Sequence, residues 1–337
     1  MNAVLMQEFQ ALYERQKQML AQLCGKAVLI TGATGLIGSW MVKFLLYLND
    51  LHGMNIKIYA VSTSLKKLQD CFGADNPNLY FMQMDLSVPA SFSKKFDFII
   101  HAASPAHPDA FVINPVGVMR TNLIGTISLL NSMIGCAGGR FLFLSSGEVY
   151  GNNVGNIPFV ETDAGSVNCT AVRACYPEAK RASETLCFAY NKQYGLHVNI
   201  ARLCFVYGPT ITAESTRADA QFLRFVLDGE NIILHTAGTQ RRTWCYVADA
   251  VAGILQILLS AKSGEVYNVA HENSVATIFE YATMLANIAG VRVGVEENVS
   301  VGGNSILDGT KLIKLGWAPQ YDLETGLQHS YFIKKSP

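Results

Sequence analysis

The 337-residue chain is half hydrophobic and 15% charged, a globular composition long enough for one large domain or two smaller ones. Its 26 basic and 26 acidic residues give a formal net charge of zero, which argues against nucleic acid or an anionic membrane recognised by bulk charge. Charged residues interrupt residues 1–23 and no long apolar run occurs, so we expect neither a signal peptide nor a membrane span. The eight cysteines lack CxxC and zinc-ligand spacing, which indicates reduced thiols, no metal site and a cytoplasmic setting.

The first recognisable unit is a strand, a glycine turn and a helix. It follows an amphipathic helix predicted over residues 3–23, which we expect to pack on the domain or on a dimer partner. Residues 26–31 form a candidate strand, and GATGLIG leads from it into a helix. Gly32, Gly35 and Gly38 allow the backbone to approach a pyrophosphate at the positive end of that helix. A dinucleotide site is therefore predicted, the alternative being a tight turn that binds nothing.

The end of the second predicted strand bears on which dinucleotide binds. Many NAD-binding folds have an acid there that holds the ribose hydroxyls. Here strand 56–61 is followed by Ser62, with Lys66 and Lys67 close by. No carboxylate is available at that point to repel a 2′-phosphate, so the pattern favours NADP over NAD. Alternatively, the two lysines only form part of a solvent-exposed helix face.

The fourth predicted strand ends in small residues that suit a cofactor. It covers 96–100 and is followed by His101-Ala102-Ala103-Ser104, against which a cofactor can lie. His101 by itself is more typical of a packed histidine than of a catalyst. Asn122, further along, is either a helix-start residue or a bridge between polar groups beneath the cofactor.

Strands and helices alternate through the first half of the chain, which predicts a doubly wound parallel sheet. Ligands of such sheets bind beyond the carboxyl ends of the strands. The other elements predicted in this half are strands at 79–83 and 141–144 and helices at about 109–118 and 121–135.

Ser146, Tyr176 and Lys180 form a candidate proton-handling site. Ser146 follows the fifth strand, and a loop over 151–172 leads to a helix at about 174–194. Tyr176 and Lys180 are four residues apart, which places a phenol and an ammonium on one face of that helix. A neighbouring cation favours the phenolate, so we expect the lysine to lower the pKa of the phenol.

The second half is predicted to form a smaller, mixed α/β substrate lobe. The domain boundaries expected are an N-terminal helix at 1–24, a Rossmann domain at 25–203 and the lobe at 204–337, with some return of the chain to the Rossmann domain. The predicted elements are strands at 197–202, 231–235 and 265–269, helices at 217–228, 247–260, 276–289, 309–315 and 323–334, and a basic turn at 239–242.

Five motifs together resemble the extended short-chain dehydrogenase/reductase family over about residues 25–335. They are TGATGLIG, HAAS, SSGEVYG, the pair Tyr176 and Lys180, and YGP. Within that family the chain is most similar to the nucleotide-sugar epimerases, dehydratases and decarboxylases. RACYPEAKR followed by SETLCFAY is especially similar to the UDP-glucuronate decarboxylases. The resemblance implies a Rossmann-type fold and a nucleotide-sugar substrate.

The resemblance also implies roles for individual residues. Ser146, Tyr176 and Lys180 would be catalytic, with Glu148 matching an acid of dehydratases and decarboxylases; tying down the loop is its alternative role. Helices 121–135 and 174–194 match those of the usual homodimer interface. The strand ends and the resemblance together give as cofactor-binding candidates Gly32, Thr34, Gly35, Leu36, Ile37, Gly38, Ser62, Asp85, Leu86, Ala102, Ala103, Ser104, Asn122, Tyr176 and Lys180. The substrate-binding candidates are Phe205, Arg217 and Arg242.

Three departures from the family pattern bear on the reaction. The 4,6-dehydratases have Asp-Glu where this chain has Gly147-Glu148, so no obvious acid can protonate a leaving hydroxyl. Most relatives have an Asn at the position of Phe205, and that Asn normally contacts the substrate. The acid after the second strand is absent, which leaves both NAD and NADP open.

Three functions are compatible with these residues. The first is NAD(P)-dependent modification of a nucleotide sugar through a transient ketone, by decarboxylation or epimerisation. The second is an NADPH-dependent reductase of a nucleotide-linked keto sugar or pentulose. The third is a non-catalytic dinucleotide-binding redox sensor, against which the presence of both Tyr176 and Lys180 argues.

Overall fold

The central sheet of this computed structural model has seven strands, all parallel, in the order β3-β2-β1-β4-β5-β6-β10. The structure describes residues 2–73, 76–151, 156–212, 214–297, 299 and 303–335. The strands are β1 (Ala27–Thr31), β2 (Lys57–Ser62), β3 (Leu79–Gln83), β4 (Phe98–His101), β5 (Arg140–Ser146), β6 (His197–Leu203) and β10 (Glu265–Val269). The strand order reverses between β1 and β4, and a crevice at such a point is where doubly wound sheets bind their ligands. The predicted Rossmann-type α/β fold is confirmed.

Two small sheets belong to the second half of the chain. One contains β7 (Phe205–Tyr207), β9 (Arg241–Tyr246) and β11 (Val275–Thr277), with β7 parallel and β11 antiparallel to β9. The other pairs β8 (Ile232–Leu234) with β12 (Val293–Val295) in parallel. The predicted basic turn at 239–242 is therefore wrong at its end, because Arg241 and Arg242 begin a strand that crosses the lobe.

Helices cover both faces of the large sheet. They are α1 (Ala3–Leu20), α2 (Leu36–His52), α3 (Leu65–Phe72), α4 (Pro108–Ile113), α5 (Pro115–Met133), α6 (Cys175–Tyr194), α7 (Ala218–Leu227), α8 (Val247–Ser260), α9 (Ile278–Ala289), α10 (Thr310–Lys314) and α11 (Leu323–Lys335). Within the described ranges, none of these helices has the length and apolar character needed to cross a membrane.

The break between α4 and α5 differs from the prediction and changes the place of Asn122. It lies at Asn114-Pro115, because the Asn114 side chain accepts a hydrogen bond from Gly117 N (3.0 Å) and caps α5 while Pro115 occupies its first turn. Asn122 is therefore in the middle of α5 and is fully buried. Its interpretation as a helix-start residue is wrong.

Helix α1 is fixed to the domain by an aromatic contact and by one buried carboxylate. Phe9 packs edge-on against Trp40 of α2, with ring centroids 4.8 Å apart. The carboxylate of Glu8, which is 1% exposed, accepts a hydrogen bond from Tyr246 Oη (2.6 Å) and lies 2.7 Å from Nδ1 of His329. The first helix is thereby joined both to β9 and to the last helix, α11.

Candidate active site

The glycine turn after β1 forms a tight backbone cradle. Gly32 has φ +66°, and a Cβ there would lie 2.9 Å from the backbone of Ala102 and Ala103. A Cβ on Gly38 would collide with the carbonyl oxygen of Gly32. Because side chains are excluded at these two points, the β1–α2 turn can lie directly against the segment that follows β4.

Helix α2 presents its N-terminus to the same cavity. Its N-cap is Gly35, which offers no side chain to the first N–H groups of the helix. Gly32, Gly35, Leu36, Ile37 and Gly38 line a cavity of about 390 Å³, together with Ala102 and Ser104. Free N–H groups at a helix N-terminus bind phosphate. The residues present thus fit the pyrophosphate of a dinucleotide.

Six further cofactor candidates lie outside the lining of that cavity, whereas Tyr176 and Lys180 belong to it. Thr34 Oγ1 and Ser62 Oγ are 3.2 Å apart at the ends of β1 and β2. Asp85 accepts a hydrogen bond from Ser87 N (2.8 Å), which lowers the pKa of its carboxyl group. The residues not lining the cavity are Thr34, Ser62, Asp85, Leu86, Ala103 and Asn122. They surround the strand ends on the β2 and β3 side or lie beneath the cavity.

Asn122 connects helix α5 to the segment after β4. Its side-chain Nδ2 donates to Ser104 Oγ (2.9 Å) and to the carbonyl oxygen of Val118 (2.8 Å). The backbone carbonyl oxygen of Asn122 accepts from Ser183 Oγ of α6 (3.1 Å). The second interpretation of Asn122, a bridge between polar groups, describes these contacts. It holds Ser104 in the wall of the cavity.

His101 is a packed, neutral histidine. Its Nδ1 lies 2.8 Å from Thr31 Oγ1, and Thr31 Oγ1 also accepts from the backbone N–H groups of Ala102 (3.1 Å) and Ala103 (3.0 Å). Since both lone pairs of the hydroxyl are then occupied, its proton goes to Nδ1 of His101. Burial and, to a smaller extent, the nearby positive charge of Lys180 lower the pKa of His101 to about 3.

Ser146, Tyr176 and Lys180 meet in the wall of the cavity. Lys180 Nζ donates to the carbonyl oxygen of Leu144 at 2.8 Å and lies 5.7 Å from the ring centroid of Tyr176. The Ser146 side chain lies close enough to Tyr176 to oppose the rise in the pKa of the phenol. The phenol is further held by Phe111 of α4, whose ring centroid is 4.9 Å from that of Tyr176.

The electrostatics of this trio differ from the sequence-based expectation. Burial raises the pKa of Tyr176 to about 12, with a further rise from Glu148 that outweighs the hydrogen bond from Ser146. Burial also lowers the pKa of Lys180 to about 7, opposed by the carboxylate of Glu184. The expectation that the lysine lowers the pKa of the phenol is therefore wrong for the protein alone. Desolvation is the larger effect because both side chains lie under α4 and β5.

Three arginines lie at the opposite end of the cavity from the glycine turn. Arg173 donates to Glu148 at 2.8 Å, and Arg217 makes a two-bond pair with Asp219 at 3.0 Å. Arg242 lies over the ring of Phe205, with its guanidinium carbon 4.2 Å from the ring centroid.

Arg242 differs from the other two arginines because it makes no ion pair in the described part of the chain. Burial lowers its pKa to about 10, so it still carries a full positive charge at neutral pH. A half-buried guanidinium without a carboxylate partner is suited to bind an anionic group of a ligand.

Gly147 lies against the side chain of Leu307. A Cβ at this position would be 2.9 Å and 3.0 Å from the two terminal methyl groups of Leu307. The space that an aspartate would need is therefore filled from the segment 303–309. This contact is consistent with a glycine at the position where the 4,6-dehydratases have an aspartate.

Several residues of the site were not identified from the sequence. Arg173, Phe111 and Asp219 line the cavity, Thr31 organises the turn after β4, and Glu184 lies beneath Lys180. A signal existed only for Glu184, which is four residues after Lys180 and so shares its helical face. The predicted loop over 151–172 includes residues 152–155, which lie outside the described residues.

Comparison with known proteins gives consistent matches. Residues 28–270 match the model of the NAD dependent epimerase/dehydratase family. UDP-glucuronic acid decarboxylase 6 of Arabidopsis thaliana is 32% identical over 304 residues, covering 89% of this chain and 86% of the relative.

Two solved structures are similar to this chain. UDP-glucose 4-epimerase of Thermotoga maritima, solved with UDP-glucose, has a TM-score of 0.77 and 26% identity, and covers 91% of this chain and 99% of that one. A dTDP-glucose 4,6-dehydratase of Streptomyces venezuelae, solved with NAD, has a TM-score of 0.76 and 25% identity, with coverages of 91% and 96%.

The glycine cradle leads to a first prediction. Gly38→Ala should lower the affinity for NAD(P) at least about tenfold, because the new methyl group must displace the Gly32 carbonyl and deform the turn. Titration calorimetry with NAD and NADP measures this. Ser39→Ala, the next residue, removes a hydroxyl that has no partner among the described residues and should leave the affinity unchanged. Wild-type affinity in Gly38→Ala would contradict the assignment.

Proposed function

This chain belongs to the NAD dependent epimerase/dehydratase family, and we propose that it oxidises a ring hydroxyl of a nucleotide-activated uronic acid and releases carbon dioxide from the resulting ketone. It is an enzyme of the extended short-chain dehydrogenase/reductase type, which excludes the hypothesis of a non-catalytic redox sensor. The observation that carries the proposal is one cavity that joins the glycine cradle, the Tyr176 and Lys180 pair, and Arg242.

The cofactor and the catalytic set divide the chemistry between them. When bound, oxidised NAD(P) takes up and later returns a hydride, and its positive charge favours the phenolate of Tyr176. The β1–α2 turn would hold its pyrophosphate. Tyr176 removes the hydroxyl proton of the reacting carbinol, while Ser146 donates a hydrogen bond to that oxygen. Lys180, fixed by the Leu144 carbonyl, orients the phenol from beneath.

Loss of carbon dioxide follows from the position of the ketone. With a carboxylate on the adjacent carbon, the bond between that carbon and the carboxylate breaks, and its electron pair forms an enolate. A proton then adds to the carbon, and the ketone is reduced, with Tyr176 returning the proton to oxygen. No group has to leave as hydroxide, which agrees with Gly147 and Leu307 leaving no space for an additional acid.

Glu148 is the carboxyl group available for the proton step at carbon. It lines the cavity and is paired with Arg173 at 2.8 Å. Arg242 is the proposed partner of the diphosphate, because among the three arginines that line the cavity it is the one without an ion pair to a described residue. Support for the uronic acid comes from the name of the relative at 32% identity, which is a UDP-glucuronic acid decarboxylase.

A substrate panel tests the reaction. Purified enzyme is incubated with UDP-, dTDP-, GDP- and CDP-linked uronic acids and hexoses, and the products are analysed by mass spectrometry. We expect a uronic acid to lose the mass of one carbon dioxide without added reductant. An unchanged mass with a new sugar configuration would indicate epimerisation instead. Activity only with a keto sugar and consumed NADPH would support the reductase hypothesis and overturn this one.

Tyr176→Phe should lower turnover at least about a hundredfold and preserve cofactor affinity. The phenolic oxygen is the proposed base, whereas the ring, which packs on Phe111, is retained. Steady-state kinetics and NAD(P) titration measure the two effects. Tyr194→Phe, on the exposed end of the same helix, is the matched control and should behave as wild type. Substantial activity in Tyr176→Phe would refute the assigned base.

The choice between NAD and NADP involves an ion pair not foreseen from the sequence. Lys67 donates to Glu214 at 2.8 Å, so the cation expected to attract a 2′-phosphate is already paired with a carboxylate. The neighbour from Streptomyces venezuelae was solved with NAD. We therefore propose that Glu214 offsets the preference for NADP that Ser62, Lys66 and Lys67 suggest.

Glu214→Gln should shift the ratio of the NADP and NAD affinities toward NADP by about three- to tenfold. The substitution removes the negative charge and frees Lys67, but both side chains are exposed, which limits the effect. Titration with both dinucleotides measures the ratio. Glu296→Gln, an exposed glutamate on the other side of the lobe, should not change it. An unchanged ratio in Glu214→Gln would show that Glu214 has no part in selection.

A homodimer through α5 and α6 is proposed from their exposed apolar residues. Val116, Met119 and Ile127 of α5 and Phe188 of α6 are each more than a third exposed. These two helices pack against each other, so both can contribute to one interface. A surface of this kind on a soluble domain is typical of a subunit interface.

Phe188→Asp should convert a dimer into a monomer, because it places a charge within that surface. Light scattering coupled to size-exclusion chromatography measures the mass. Phe332→Asp, at a phenylalanine of α11 that is even more exposed than Phe188, should leave the dimer intact. A monomeric wild type, or dissociation by both substitutions, would contradict the proposed interface.

A further inference from the structure

We propose that Glu184 is a positioning residue that keeps the ammonium of Lys180 charged and ties the catalytic helix to the end of β5. The proposal rests on the function above only in assigning Lys180 to the reaction. Glu184 follows Lys180 by four residues in α6, so both side chains lie on the helix face that packs on the sheet. Glu184 is 5% exposed, a rare position for a carboxylate.

The carboxylate of Glu184 is fixed by two neighbouring strands. Ser145 Oγ of β5 donates to Glu184 Oε1 at 2.5 Å. Arg202 of β6 donates from Nε at 3.1 Å and from Nη2 at 2.7 Å. Ser145 is the register partner of Arg202 across the sheet, so the carboxylate closes a triangle between α6, β5 and β6. Its position relative to Lys180 is therefore set by backbone pairing.

The groups that face Lys180 are neutral apart from Glu184. From α6 these are Tyr176 and Cys187, and burial raises the pKa of both, Tyr176 to about 12. From β4 it is His101, which burial keeps uncharged. Burial lowers the pKa of Lys180 to about 7, and the charge of Glu184 opposes this most strongly. Glu184, which also pairs with the charged Arg202, is thus the one carboxylate among the described groups that favour the ammonium; the carbonyl oxygen of Leu144 and the ring of Phe143, at 4.7 Å, are the uncharged ones beside it.

Arg202 connects the same carboxylate to the loop around Glu161 and to β10. Its Nη1 donates to Tyr150 Oη (2.9 Å) and to the carbonyl oxygen of Glu161 (3.0 Å). Tyr150 in turn donates to Asn268 Oδ1 (2.7 Å) at the end of β10. The loop around Glu161 is thereby attached to the helix that carries Tyr176 and Lys180.

The pH dependence of Glu184→Gln tests the proposal. The ammonium of Lys180 is lost as the pH rises through its pKa, so activity and cofactor affinity fall on the alkaline side. Without the charge of Glu184, that fall should begin about one pH unit lower. Both kcat/KM and NAD(P) affinity are measured from pH 5 to 10. Glu184→Asp, which keeps the charge, should restore most of the wild-type profile.

A second variant separates this role from a structural one. Glu184→Gln leaves Arg202 without its partner, whereas Glu184→Gln/Arg202→Met removes both charges and can replace a buried ion pair at little cost in stability. If Glu184 only balances Arg202, the double variant recovers the wild-type pH profile, and the proposal is overturned. If it supports Lys180, the profile stays shifted in every folded variant that lacks a carboxylate at position 184.

The affinity measurement distinguishes failure of this proposal from failure of the proposed function. NAD(P) binding does not require the sugar to be known, so its pH profile can be recorded even if every uronic acid is rejected. Lys180→Met is the reference, because it should lack the alkaline fall altogether. A wild-type affinity profile in a folded Glu184→Gln enzyme would overturn the role of Glu184, whatever the panel reveals.

Discussion

The hydrogen bond from Lys180 Nζ to the carbonyl oxygen of Leu144 is the interaction on which the site depends. It fixes α6 against the end of β5, and the helical repeat then places Tyr176 one turn before and Glu184 one turn after that point. β6 lies in register with β5, so Arg202 is opposite Ser145 and can meet Glu184. The bond is buried, which makes it a rigid reference, and the same burial lowers the pKa of the lysine although the carbonyl oxygen itself favours the ammonium. The burial of this contact therefore influences both the position and the protonation of Lys180.

Much of the Rossmann half could be predicted because its signals are local. Gly32 and Gly38 are required by close backbone contacts within one βα unit, and the i,i+4 spacing of Tyr176 and Lys180 sets their common face without further information. The exception in this half is Asn122, whose place depended on a helix break. Asn114 caps α5 with its own side chain, and the sequence interpretation placed the break several residues too late.

The remaining features depend on contacts between distant parts of the chain. Arg242 begins a strand because β9 pairs with β7 and β11, neither of which has a strong pattern of its own. The pKa of Tyr176 rises because α4 and β5 enclose it, which no spacing in the sequence reports. Lys67 is paired with Glu214, a residue 147 positions away. In each case the residue type was visible, but its partner was supplied by the tertiary fold.

The buried carboxylate of Glu8 has a consequence for how the protein is made. Its two shorter hydrogen-bond contacts, to Tyr246 and His329, come from the last third of the chain, whereas Trp40 of α2 donates to it at 3.4 Å. During synthesis, Phe9 and Glu8 can both meet Trp40 early, but the carboxylate loses most of its hydration favourably only once α11 has left the ribosome. Docking of the first helix is thus a late event that seals the domain, and a nascent chain stopped before His329 would keep α1 loosely attached.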